Sequence, residues 1–370
     1  MADAAAVGPS APAPRSVIIT GDIFRMQRWG GVSRYVVEVA SRLQRPVRVT
    51  GGFLSSDEAV RLGERIAPRW RLPRMPGAWH LAAPIHARID ARALRREPTA
   101  IMHPSYFRDP ASLPATRPLV VTVFDLTHER FPAAARLGPE RWKRALCARA
   151  DRVICISEST RRDVVERLGV PESRARVAPL GSRAWDEVTP CPPPNVPEPF
   201  ALWVGPRYAY KNFEGALAAL ARCHAARDVS LLCLGGGPLT APERALVAAQ
   251  GLRGRVVQRH GSDAELRWAY EHSVGLLYPS WWEGFGLPVI EALALGTPVL
   301  ASDRASLPEV GGAAAFYAAP DEPDALAAML ERMLTEGRSP ARLAAGRAQA
   351  AHFTWERCAA LHEAVYRELE

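Results

Sequence analysis

The sequence predicts an α/β protein built as two parallel-sheet domains. Three observations carry this. Short apolar runs alternate with helical patterns in two successive series. A proline-dense stretch at 191–199 separates the series, and proline at that density stops both helix and strand. The length, 370 residues, suits two domains that each bury a real core.

The first series has apolar runs at 16–21, 47–50, 100–102, 119–124 and 153–157, with helical patterns such as 33–43 and 139–150 between them. The second has runs at 200–205, 230–235, 255–259, 275–278, 298–301 and 314–317. The last stretch, 353–366, reads as an amphipathic helix. The expected division is a disordered tail at 1–15, a first domain at 16–190, a linker at 191–199, a second domain at 200–350 and a closing helix at 351–370.

Composition excludes several classes. Hydrophobic residues make 48% and charged residues 23%, an ordinary globular balance. No apolar run reaches the length of a membrane span. The first residues are rich in Ala and Pro and lack the basic start and apolar core of a secretory signal. The six cysteines show no Cys-x-x-Cys and no metal-ligand spacing, which points to reduced thiols in the cytoplasm. The net charge of +8 suits peripheral contact with an anionic membrane or a lipid-diphosphate acceptor. No nucleic-acid-binding motif accompanies it.

Residues 279–301 are the most informative stretch. Glu283 and Glu291 stand eight positions apart, with Gly284-Phe285-Gly286-Leu287, Pro288 and an apolar helical run between and after them. Pro288 fits the first turn of a helix, where its missing N–H is not needed. The amides before it are then open at a helix N-terminus, a natural anion site. A loop carboxylate at Glu283 is suited to accept hydrogen bonds from hydroxyls, and Glu291, one turn into the helix, is suited to do the same. Hydroxyls flanking a phosphate describe a nucleotide sugar.

This stretch resembles the Glu-x7-Glu element of retaining GT-B glycosyltransferases of family 4. The likeness extends upstream to Leu276–Ser280 and downstream to Gly296–Ser302 and Leu307–Gly312. The resemblance implies two Rossmann-like domains, an interdomain cleft and a C-terminal helix crossing back to the first domain. It implies that Glu283 meets the donor sugar, that the backbone of Phe285, Gly286 and Leu287 meets sugar and diphosphate, and that Glu291 meets the ribose.

Other segments match the same family. Gly205-Pro-Arg-Tyr-Ala-Tyr-Lys-Asn212 places Arg207 and Lys211 where the family carries a cation pair. Fixed cations there neutralise a leaving diphosphate. Gly30-Gly31, ahead of Ser33-Arg34-Tyr35, is similar to the first-domain glycine loop; a tight turn with Ser33 as helix cap reads the same residues without a ligand. Thr122–His128 ends a strand where the family often carries a sugar-contacting His. Here Phe124 takes that place, which leaves Asp125 or His128 for the role. Ser157 is expected as a helix cap and the Gly261 loop beside the base, and a place bordering the acceptor is the lesser of the readings for His103.

The expectation is therefore a retaining hexosyltransferase. It takes a GDP- or UDP-sugar as donor and a glycan or lipid-linked molecule as acceptor, in cell-surface polysaccharide synthesis. No carboxylate nucleophile motif and no metal-holding Asp-x-Asp is found, so no cofactor and no metal are expected. The alternatives are a non-catalytic nucleotide-sugar-binding protein and a nucleotide-sugar epimerase on the same fold.

Overall fold

The computed structural model describes residues 13–28, 30–71, 78–131 and 139–370. The tail expected at 1–15 lies almost wholly outside them.

Contacts divide the chain into two units: 1–122, 139–154 and 359–370 in the first, 123–138 and 155–358 in the second. This differs from a cut at the proline-rich break, because 123–138 and 155–190 go with the second unit. The helix Glu158–Leu168 shows why. Its first two amides donate to the Glu309 carboxylate at 3.0 and 3.3 Å, and its Thr160 hydroxyl donates to the Gly284 carbonyl at 3.2 Å. Ser157 caps it as expected, accepting from the Thr160 amide at 3.0 Å.

In the first unit, β1 (Val17–Thr20), β2 (Val47–Leu54), β3 (Ile66–Arg71) and β4 (Ile101–Pro104) form a parallel sheet in the order β3-β2-β1-β4. β1 and β4 are buried throughout, as strands covered on both faces must be, and each opens on an apolar run, Val17–Ile19 and Ile101–Met102. β3 escaped the pattern because Pro68, Arg69 and Arg71 interrupt it. An edge strand tolerates them, since one side makes no ladder. β5 (Val120–Val123) and β6 (Arg152–Cys155) are two further short strands.

The last residues of the helix Trp355–Arg367 belong to this unit and enclose a buried polar network. His103 shares hydrogen bonds with Tyr366 (2.6 Å) and Thr122 (2.9 Å), and Tyr35 shares them with Thr122 (2.7 Å) and His362 (2.5 Å). His103 is therefore a core residue, 4% exposed, rather than an acceptor contact. Burial, with the His362 ring beside it, pushes its imidazole down to about 3.

The second unit also holds the short strand β7 (Ala175–Val177), too brief to show a pattern. Its main sheet has β8 (Phe200–Val204), β9 (Ser230–Leu234), β10 (Val256–Arg259), β11 (Leu276–Tyr278), β12 (Val299–Ser302) and β13 (Phe316–Ala318). All pair in parallel, in the order β10-β9-β8-β11-β12-β13. This is a doubly wound sheet whose order reverses between β8 and β11. Ligands of such sheets lie beyond the carboxyl ends of the strands at that reversal.

Candidate active site

The loops leaving β8 and β11 carry the two strongest sequence signals, and the sheet order makes them neighbours. Lys211 Nζ donates to Glu283 Oε1 at 2.7 Å and to the Tyr278 hydroxyl at 3.1 Å. Ser280 donates to the same carboxylate oxygen at 2.9 Å. Burial alone would lower the pKa of the ammonium. The Glu283 charge outweighs that and, with Tyr210 and Asp125, holds the lysine above its ordinary pKa. All but two of the 47 basic residues are arginine, and both lysines, Lys143 and Lys211, are buried. That scarcity is a signal for Lys211 that charge totals conceal.

The signature loop is held by its carbonyls. Pro279 accepts from the Asn212 amide, Ser280 from the Ser302 hydroxyl, and both Glu283 and Phe285 from the Ser306 hydroxyl at 2.9 and 2.7 Å. With Gly284 fastened by Thr160, the carbonyls face the protein. The amides from Glu283 to Leu287 donate to no protein acceptor among the described residues. Gly286 sits at φ 114°, and the helix Leu287–Ala294 follows with Pro288 in its first turn. The result is a row of open donors at a helix N-terminus, built from backbone and strengthened by the helix dipole.

Gly284 permits another close approach. A Cβ there would lie 1.8 Å from the Phe124 carbonyl oxygen. The signature loop therefore touches the turn that holds Asp125 and His128. Asp125 Oδ1 caps that turn through the Thr127 amide at 2.9 Å, and its charge acts on Lys211. His128 is half-buried in the next short helix, and no described contact draws it to Lys211 or Glu283.

Glu291 is 4% exposed and accepts from the Tyr270 hydroxyl at 3.1 Å. Arg207 departs from the expectation of an open cation. Its guanidinium pairs with Glu243 at 2.8 Å and donates to the Gly237 carbonyl at 2.9 Å and the Gly235 carbonyl at 3.4 Å. Its side chain is 2% exposed. It braces the turn Gly235-Gly236-Gly237, whose three φ angles are all positive. Gly205 also has positive φ, with open space where a Cβ would stand. Gly261 is exposed ahead of the capping box that starts the helix Asp263–His272.

In the first unit, Gly30 precedes the helix Gly31–Arg42. A Cβ on Gly30 would meet the Gln27 side chain at 2.2 Å, and Gln27 Oε1 accepts from the Ser33 amide at 3.3 Å. Ser33 is thus the third residue of the helix, not its cap. Gln27 was missed because a lone Gln in a loop carries no pattern, as were Tyr270, Tyr278, Ser302 and Ser306, which read as ordinary core residues.

The two parallel-sheet units are those of a GT-B protein, and the family matches agree. The model for Glycosyltransferase Family 4 matches residues 29–182, and that for Glycosyl transferases group 1 matches 198–336. The chain belongs to family 4 of the glycosyltransferases. It is 27% identical over 336 residues to the O-antigen chain mannosyltransferase B of Escherichia coli, covering 82% of this chain and 83% of that one. It is 29% identical over 272 residues to the MMP alpha-(1->4)-mannosyltransferase of Mycolicibacterium hassiacum, covering 69% and 63%. The crystal structure of Anabaena HepE with UDP and glucose shares the fold, with a TM-score of 0.71 and 18% identity over 96% of this chain and 99% of that one.

Proposed function

We propose that the protein moves a hexose from a nucleotide diphosphate sugar to a glycan or lipid-linked acceptor, with retained anomeric configuration, in cell-surface polysaccharide synthesis. The observation that carries this is the Lys211–Glu283 pair beside an open row of amides at the sheet's reversal point. In this reading the amides of 283–287 and Lys211 receive the diphosphate, where negative charge grows as the bond to the sugar breaks. Glu283 accepts from sugar hydroxyls and Glu291 from ribose hydroxyls. The acceptor hydroxyl attacks from the face the diphosphate leaves, and a phosphate oxygen takes its proton. Glu283 serves as a hydroxyl acceptor and not as a nucleophile, because Lys211 and Ser280 already hold one of its oxygens. Arg207 acts on the donor through the glycine turn that it braces.

Both curated relatives described above are mannosyltransferases by name, so mannose is the hexose of choice. A thermal-shift panel of GDP and UDP tests the nucleotide, since only the fitting one stabilises by mass action. Transfer from the matching labelled sugar nucleotide then tests catalysis. Nucleotide binding without turnover would favour the non-catalytic reading. Transfer without metal is part of the proposal: full activity in EDTA supports it, and activity lost in EDTA but restored by Mg²⁺ or Mn²⁺ refutes it.

A further inference from the structure

The first unit's sheet, in the order β3-β2-β1-β4, reverses between β1 and β4. That is the point where a sheet of this kind receives a ligand. Four charged side chains meet there. Arg108, after β4, bridges Asp22, just after β1, at 3.3 Å and Asp90 at 2.8 Å. Arg25 donates to Asp90 at 3.0 Å and to the Gly51 carbonyl at 2.8 Å, and stands 3.6 Å from Asp22. The Ile23 amide donates to Ser105 Oγ at 3.1 Å, and Thr20 donates to Asp22.

Stability alone does not explain such a cluster. Ion pairs taken out of water are often no better than apolar residues of the same volume. Arg25 Nε is buried without a hydrogen-bond partner among the described residues, a donor left over at the site. Asp22 and Arg108 keep 15% of their side-chain surface open. The charges sum to zero, two Arg against two Asp. His86, whose ring feels Arg25, Asp90 and Asp22, is pushed down to about 4 by burial and by Arg25 and adds no charge near neutral pH. A phosphate would find no net attraction in this setting. A hydroxyl, which both donates and accepts, fits carboxylates and guanidinium N–H groups side by side.

We infer that Asp22, Arg25, Asp90 and Arg108 form the acceptor site, and that it takes the hydroxyls of a neutral saccharide rather than a phosphate. This rests on the transferase reading above.

The test uses the full chain and a set of methyl hexosides (manno, gluco and galacto) with the corresponding hexose 6-phosphates. Saturation-transfer NMR should show at least one neutral hexoside bound, none of its phosphates bound more tightly, and no displacement by GDP or UDP. Hydrogen exchange on the unmodified protein should show protection by that hexoside at 20–27 and 104–109 but not at 279–290. Asp22→Asn and Arg108→Gln should weaken the hexoside at least tenfold while leaving the nucleotide-induced rise in Tm unchanged. Absence of any hexoside binding, preference for a phosphate, protection elsewhere, or variants that bind as before would each overturn the inference. If the variants fail to fold, the exchange map of the unmodified protein decides. Loss of the nucleotide response in the unmodified protein would instead refute the transferase reading.

Discussion

Lys211 Nζ lies 2.7 Å from Glu283 Oε1, and the two side chains are 10% and 12% exposed. The ammonium of Lys211 therefore depends on Glu283 for its charged state. Read as a loop carboxylate, Glu283 has little to do with folding, but as the partner of a buried ammonium it contributes to both folding and turnover.

Glu283→Ala should lower stability by about 3 kcal/mol, because it strands a buried charge. Lys211→Met should do likewise, and the double variant should recover much of the Tm without recovering transfer. Chemical denaturation and a transfer assay on the three variants check this. Single and double losses that simply add would contradict the coupling.

Lys211→Arg should be nearly inactive. The ammonium sits 4.9 Å from the Tyr278 ring centre and 5.5 Å from that of Tyr210. A planar guanidinium is too wide for a space shaped around a point charge. A variant with turnover close to the parent would refute this.

Gly284→Ala tests the approach of the signature loop to the Phe124 turn. Its Cβ would lie 1.8 Å from a backbone oxygen, which cannot swing aside as a side chain does. Loss of transfer with a marked fall in Tm is expected, and an active, stable variant would show the loop placed differently.

Tyr270→Phe removes the hydroxyl that orients Glu291. The expected effect is a rise of roughly fivefold in donor KM, about 1 kcal/mol, with kcat held. Glu291→Ala should raise donor KM further. Steady-state kinetics with varied donor separate the two constants.

Acid should loosen the core around His103. Its pKa in the folded chain, about 3, lies below the ordinary 6.5, so folding favours the neutral ring. That contribution is complete above pH 6.5 and is lost as pH falls from 6.5 toward 3, by at most about 1.4 kcal/mol per unit. Tm should therefore drop more steeply with acidification in the parent than in His103→Gln. Parallel curves would refute the assignment.

The sequence by itself determined the two series of parallel strands, the Glu283–Glu291 element and Lys211. Each rests on local pattern: apolar runs that both faces bury, a proline at a helix start, a cation after a strand. Pattern also placed Pro288 in the first turn of the helix Leu287–Ala294 and Ser157 at the cap of the helix Glu158–Leu168. Only the tertiary structure decided which charges meet. Arg207 looked open in sequence, yet Glu243, 36 positions away, occupies it. His103 stood only as a lesser candidate beside the acceptor, and Tyr366, 263 positions on, takes it into the core. The hydroxyls of Thr160, Ser302 and Ser306 turn the signature carbonyls inward and leave its amides open. Hydrogen bonds and ion pairs act over a few ångströms of space and carry no fixed separation along the chain, so a linear pattern holds no record of them.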